Sequence, residues 1–177
     1  FGLTINSDYD LIDGIWADRP AIPKNEFRPQ PVEYSGEETK ARTQRILEHL
    51  KKKGANATVL TTLDELAWAF NIRNCDVECN PVGVGFGFIG EKESVLFTFA
   101  EKVNTALQSE LQAQGVRVMG YQEIFGYLSA LPASVTVYVD KSRISSAVYN
   151  ALAPHCRQIE GVSVVTMLKS YKNEAEL

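Results

Sequence analysis

Cysteine is scarce in this chain, and what there is does not pair off. Cys75, Cys79 and Cys156 are three in number, and no two stand at C-x-x-C spacing. Such a set excludes a disulfide framework and points to reduced thiols in a cytoplasmic setting. Cys75 and Cys79 stand four apart without the rest of a zinc shell, so no metal site is expected between them. Histidine is rarer still. His49 and His155 have no acid or cysteine at metal-ligand spacing and read as surface or capping residues. The absence of G-x-S-x-G removes support for a serine hydrolase of the α/β type.

Positive charge is also in short supply. The formal net charge is −4 and the pI about 5.3, with 18 lysines and arginines scattered along the chain. A surface of that sign repels phosphate backbones, which argues against a nucleic-acid partner. The one basic run, Lys51, Lys52 and Lys53, falls where a helix is expected to end, and there it complements the helix dipole. No apolar stretch approaches the roughly 20 residues that cross a bilayer, and no charged-then-apolar segment opens the chain. Neither membrane insertion nor targeting is expected. The chain starts at Phe1 and stops at Leu177 on a charged, helix-like run, so both ends read as cut.

What is present is globular. With 45% hydrophobic, 10% aromatic and 23% charged residues in 177 positions, the chain can bury the core of one ordinary domain. A short helical piece is expected over Tyr9–Trp16, ended by Asp18, Arg19 and Pro20. Pro23, Pro29 and Pro31 then make residues 21–34 an extended linker crossing a surface. Ser35 and Glu38 form an S-x-x-E capping box that opens a helix closing at Gly54. A strand over Ala57–Thr61 and a helix over Leu63–Phe70 follow. Strands Val82–Ile89 and Ser94–Phe99, joined by a turn at Gly90–Glu93, read as an antiparallel hairpin.

Alternation then continues: helix Glu101–Gln114 ending at Gly115, strand Val116–Tyr121, helix Gln122–Leu131, strand Ser134–Asp140, helix Ser145–Ala153 and strand Ser163–Leu168. The order implies an α/β fold, a three-layer mixed sheet flanked by helices.

Two segments invite a chemical reading. Gly85-Phe86-Gly87-Phe88-Ile89-Gly90 spells G-x-G-x-x-G. A dinucleotide fingerprint, however, follows a strand and opens a helix, whereas these glycines lie within a strand that leads into another. Gly83, Gly85 and Gly87 leave one strand face bare, a site for close approach by a neighbouring element. The second segment, Asn71 to Val82, gathers Arg73, Asp76, Glu78 and three asparagines between a helix and a strand. It is either a well-tied connection or a loop facing a neighbouring active site, and Arg73 and Asp76 are placed to pair with each other. Asn80, before Pro81, is restricted to extended geometry.

Asp64-Glu65-Leu66-Ala67-Trp68, then Asn71-Ile72-Arg73, Asp76 and Asn80-Pro81-Val82, resembles the middle domain of three-domain Xaa-Pro aminopeptidases. Asp10-Leu11-Ile12-Asp13-Gly14-Ile15-Trp16-Ala17-Asp18-Arg19-Pro20 resembles the close of that family's first domain. Leu168-Lys169-Ser170-Tyr171-Lys172-Asn173-Glu174-Ala175-Glu176-Leu177 resembles its entry into the catalytic domain. The likeness spans nearly the whole chain. It departs at Asn74, where the family more often has glycine, and at Cys79, where an aromatic residue is usual; an asparagine can still adopt left-handed backbone.

The resemblance implies a creatinase/prolidase N-terminal type of fold with a ribonuclease H-like layout and no nuclease chemistry. It implies residues 1–34 as the end of a preceding domain and linker, 35–168 as the domain, and 169–177 as the start of the connection to a catalytic domain. It also implies that the full-length enzyme removes the residue preceding a proline in second position, with two divalent metal ions, usually manganese. Their ligands would lie in that further domain, so this chain would hold no catalytic or metal residues and no cofactor, and would be inactive alone. Adjacent domains, a peptide substrate and homodimerisation of the full-length enzyme are the implied partnerships. Arg73, Asp76 and Asn80 become the candidates for an interface or substrate-proximal loop. A free-standing binding module or pseudoenzyme of the same fold is the competing reading.

Overall fold

A computed structural model describes Gly2, residues 11–152 and residues 156–177. Tyr9, Asp10, Ala153 and His155 of the readings above lie outside the described residues. In chain order the elements are α1 (Leu11–Ile15), β1 (Arg28–Pro29), α2 (Val32–Ser35), α3 (Thr39–Lys52), β2 (Ala57–Leu60), α4 (Leu63–Ala69), β3 (Ile72–Arg73), β4 (Phe86–Gly90) and β5 (Ser94–Thr98). They continue as α5 (Thr105–Ala113), β6 (Val116–Gly120), α6 (Glu123–Ser129), β7 (Thr136–Val139), α7 (Ser146–Leu152), β8 (Arg157–Glu160) and α8 (Val164–Ser170).

Six strands form one sheet in the order β6-β5-β4-β2-β7-β8, and β1 and β3 make a separate two-stranded ribbon. Within the sheet β4 alone runs against its neighbours. It pairs antiparallel with β2 and β5, while β5–β6, β2–β7 and β7–β8 are parallel. Successive side chains of a strand point to opposite faces, so each strand feeds two cores. Val95 and Phe97 join Val137, Ile124, Leu128, Val148 and Leu152 beneath α6 and α7. Leu96, Ile89 and Leu60 join Ile46, Leu50, Leu66, Phe70, Leu107, Val165 and Leu168 beneath α3, α4, α5 and α8. The result is the expected three-layer mixed α/β architecture, including the hairpin, where the Gly90 N–H donates to the Glu93 carbonyl at 3.0 Å.

Several local expectations are corrected. Ser163–Leu168 is not a strand. The Ser163 hydroxyl accepts from the Val165 and Thr166 N–H groups and starts α8, which packs on α3 and α4 and buries Val164, Val165 and Leu168 in the core. Its β-branched run favours a strand, but a side-chain cap and a helical face of contact outweigh that weak preference. The edge strand β8 has the burial of a half-exposed element and no apolar alternation to mark it.

The S-x-x-E box is also absent. Ser35 closes α2, Gly36 takes φ +69, and Glu38 precedes α3 without a side-chain cap. A reciprocal capping box forms instead between Asn173 and Glu176. The segment expected as helix Glu101–Gln114 is divided: a 3-10 turn, Ala100–Lys102, precedes α5, which Asn104 caps. Nor is residues 21–34 simply a surface crossing, because Phe27 is only 2% exposed and sits in the core.

Candidate functional site

The loop from Asn71 to Val84 is where the structure concentrates polar bonds, and it is built inward from Phe27. That ring lies 4.7 Å from the Lys102 ammonium, and the Phe27 N–H donates to the Lys102 carbonyl at 2.8 Å. Lys102 pairs with Asp76, both side chains being wholly buried. The remaining acceptor positions of Asp76 take the Val84 N–H at 2.7 Å and the Asn25 backbone and amide N–H groups at 3.2 Å. A buried charge is tolerable only when paired and hydrogen-bonded in this way. Arg73 and Asp76 therefore do not pair.

Asn74, 1% exposed, performs three bonds. Its amide donates to the Asn25 carbonyl at 2.7 Å, and its Oδ1 accepts from the Cys75 and Asp76 N–H groups at 2.7 and 2.8 Å. Its role is this side-chain turn, not left-handed backbone; Asn71 and Cys79 take the positive φ angles, 49° and 59°. Gly83 lies where a Cβ would come within 2.5 Å of Phe27 Cε1 and 2.7 Å of Asn74 Cβ. A Cβ on Gly87 would stand 3.0 Å from Leu60 and from Leu66, so the bare strand face admits α4 as expected.

On the outer side of the loop, Arg73 is half-buried and donates through Nη1 to the Ala67 and Ile72 carbonyls, both at 2.9 Å. Burial holds its guanidinium below its ordinary value, against the pull of Glu176. Asn80 is exposed, its N–H donating to the Val77 carbonyl at 3.2 Å. The three candidates thus divide: Asp76 faces the interior, Asn80 faces solvent, and Arg73 lies between.

Arg42 and Lys102 were not visible as participants from sequence. Arg42, 1% exposed, lies 4.3 Å over the Trp68 ring and donates to the Ser35 and Trp68 carbonyls and to Asn71 Oδ1. Burial lowers its basicity, partly offset by its bond to Glu37. Both cations sit among ordinary solvent-facing helix patterns, and nothing local marks them as buried. Among the described residues, no three histidine, cysteine, aspartate or glutamate side chains come together as a metal site. No helix among them is long and apolar enough to cross a membrane. His49 Nδ1 lies 2.9 Å from the Arg45 carbonyl.

Fold and loop together define an α/β sandwich whose densest polar network ties a connection down. Residues 18–176 match the Creatinase/Prolidase N-terminal domain, and the chain belongs to that family. It is 33% identical over 159 residues to a probable Xaa-Pro aminopeptidase P of Coprinopsis cinerea, covering 85% of this chain and 25% of that protein. With the probable Xaa-Pro aminopeptidase P of Arthroderma gypseum it shares 31% identity over 185 residues, 99% of this chain and 29% of the other.

An X-prolyl aminopeptidase from Caenorhabditis elegans, described as a cytosolic enzyme with a di-nuclear active site, superposes with a TM-score of 0.86 at 25% identity. That match covers 94% of this chain and 28% of that one. An Xaa-Pro dipeptidase from Bacillus anthracis shares the fold alone, with a TM-score of 0.52 at 12% identity, over 78% of this chain and 38% of that one. The chain thus spans under a third of the length of the curated relatives described.

Proposed function

We propose that this chain is a non-catalytic domain of a cytoplasmic Xaa-Pro aminopeptidase, whose full-length form releases the N-terminal residue preceding proline. The observation that carries the reading is one of coverage: at 31% identity the likeness takes in 99% of this chain but 29% of the longer relative. In this reading two metal ions, manganese by preference, would be held by a separate domain, where they would supply activation of the attacking water and charge stabilisation. Residues 35–168 form the domain body, 1–34 lead in from a preceding domain, and 169–177 lead toward the catalytic one. Phe27 and the β1–β3 ribbon anchor the leading segment to the body.

The role assigned to this domain is architectural and substrate-gating. The loop Arg73–Asn80 faces the neighbouring domain, held in shape by the buried Asp76–Lys102 pair. The test is an Xaa-Pro cleavage assay with added manganese on the full-length protein and on the 177-residue chain side by side. Activity is expected in the longer protein alone, and dimerisation with it. Cleavage by the chain alone would overturn the non-catalytic assignment; no Xaa-Pro cleavage by the longer protein would overturn the enzyme assignment.

A further inference from the structure

The short β1–β3 ribbon sets two arginines side by side. Arg28 and Arg73 are direct partners across the antiparallel pair. Residues so opposed project to one face with their Cβ atoms about 4.5–5.5 Å apart, and like charges in that position repel. With Pro29, Gln30 and Pro81 they line an open cleft of ≈ 370 Å³. The prolines give it stiff walls.

Neither arginine is tied into an ion pair among the described residues, although the charge of Glu176 acts on Arg73. Arg42, Arg45, Arg117 and Arg143 each lie within ion-pair distance of a carboxylate, whereas among the described residues Arg28 and Arg73 form no ion pair. Glu176, whose charge acts on Arg73, has its oxygens engaged by the Trp68 indole at 3.2 Å and the Asn173 N–H at 3.3 Å. The two carbonyl bonds of Arg73 use Nη1 and orient its guanidinium plane. Its Nε and Nη2 donors remain for a ligand, beside the exposed fork of Arg28. One oriented guanidinium beside a second, exposed one offers planar donor forks that match a carboxylate.

We propose that Arg28 and Arg73 form a carboxylate clamp. Resting on the aminopeptidase reading, its occupant is either the C-terminal carboxylate of a peptide substrate or an acidic side chain of another domain of the full-length protein.

Binding is tested on the 177-residue chain by arginine Nε–H NMR during titration with N-acetylglycine at constant ionic strength. Saturable shifts at Arg28 and Arg73 are expected, with affinity about tenfold weaker in Arg28→Gln, the loss of one charge-assisted contact. Arg28 is exposed, so this variant tests the clamp without opening the core. Shifts reproduced by sodium chloride, stronger binding of inorganic phosphate, or no effect of Arg28→Gln would each overturn the proposal.

The source is separated in the full-length enzyme, using Xaa-Pro peptides with free or amidated C-termini. A roughly tenfold rise in KM for the free acid alone in Arg28→Gln identifies the substrate carboxylate. A lower Tm with equal effects on both peptides identifies an acidic side chain of another domain. Neither change would overturn the clamp's place in the enzyme. A wild-type protein inactive on every Xaa-Pro peptide would overturn the functional reading alone, because the NMR result does not depend on activity.

Discussion

The loop leading into β4 and the layer beneath α6 and α7 are held by opposite means. The layer is apolar, with Ile124, Leu128, Val148 and Leu152 against Val95, Phe97 and Val137, and each contact adds a share of burial. The loop depends on a few side chains that satisfy one another: Asp76 with Lys102, Asn25 and Val84, and Asn74 with its own following N–H groups. A layer of the first kind degrades gradually when trimmed. A network of the second kind fails when one member is removed, because the survivor is left charged and desolvated.

That contrast is broken most directly at Asp76. Asp76→Ala strands the Lys102 ammonium and is expected to cost about 3–5 kcal/mol in urea unfolding. Adding Lys102→Met is expected to restore most of the loss, and a single-mutant cost below about 1 kcal/mol would show that the pair holds nothing. In the apolar layer, Leu128→Ala is expected to cost about 2–5 kcal/mol. Leu128→Met, which conserves volume, should stay below about 1.5 kcal/mol by the same measurement. Tolerance of a volume-conserving change on one side, and intolerance of removing either charge alone on the other, is the signature sought.

Gly83→Ala sharpens the comparison at the loop's exit. Its Cβ would meet Phe27 and Asn74, so overpacking of about 1–3 kcal/mol is expected in thermal unfolding. The smallest effect is expected from a second anchored carboxylate, Asp140. The Ser142 hydroxyl, opposed by burial and aided by the Ser163 and Ser142 N–H groups, holds this carboxyl below its ordinary range. A lowered folded-state pKa stabilises above the unfolded value of about 3.9 and ceases to do so as pH falls through the folded one. Wild type should therefore exceed Asp140→Asn in Tm at pH 7, with the gap closing progressively below about pH 4. A gap independent of pH would remove the carboxylate charge from the explanation.

Much of the sheet and of its helix packing was legible in the sequence. The bare positions Gly85 and Gly87 announced the close approach that α4 makes, Gly83 instead meets Phe27 and Asn74, and Gly54 and Gly115 marked helix ends with φ angles of +79° and +80°. The loop was legible only as a polar cluster. Its central acid finds Lys102, which stands 26 positions away in a stretch that reads as one continuous amphipathic helix. The same limit hid α8, where Val164 and Val165 read as strand until the Ser163 cap and the packing on α3 and α4 are seen together.

Local patterns of apolar spacing and turn residues determined the α/β class and the positions of most helices and strands, because these depend on neighbours within a turn or two of chain. The likeness to Xaa-Pro aminopeptidases was likewise written in contiguous motifs. Only the tertiary structure decided that Asp76 turns inward, that Phe27 enters the core and that Arg28 stands opposite Arg73. Burial and charge pairing are set by residues far apart in sequence, and no local period records them.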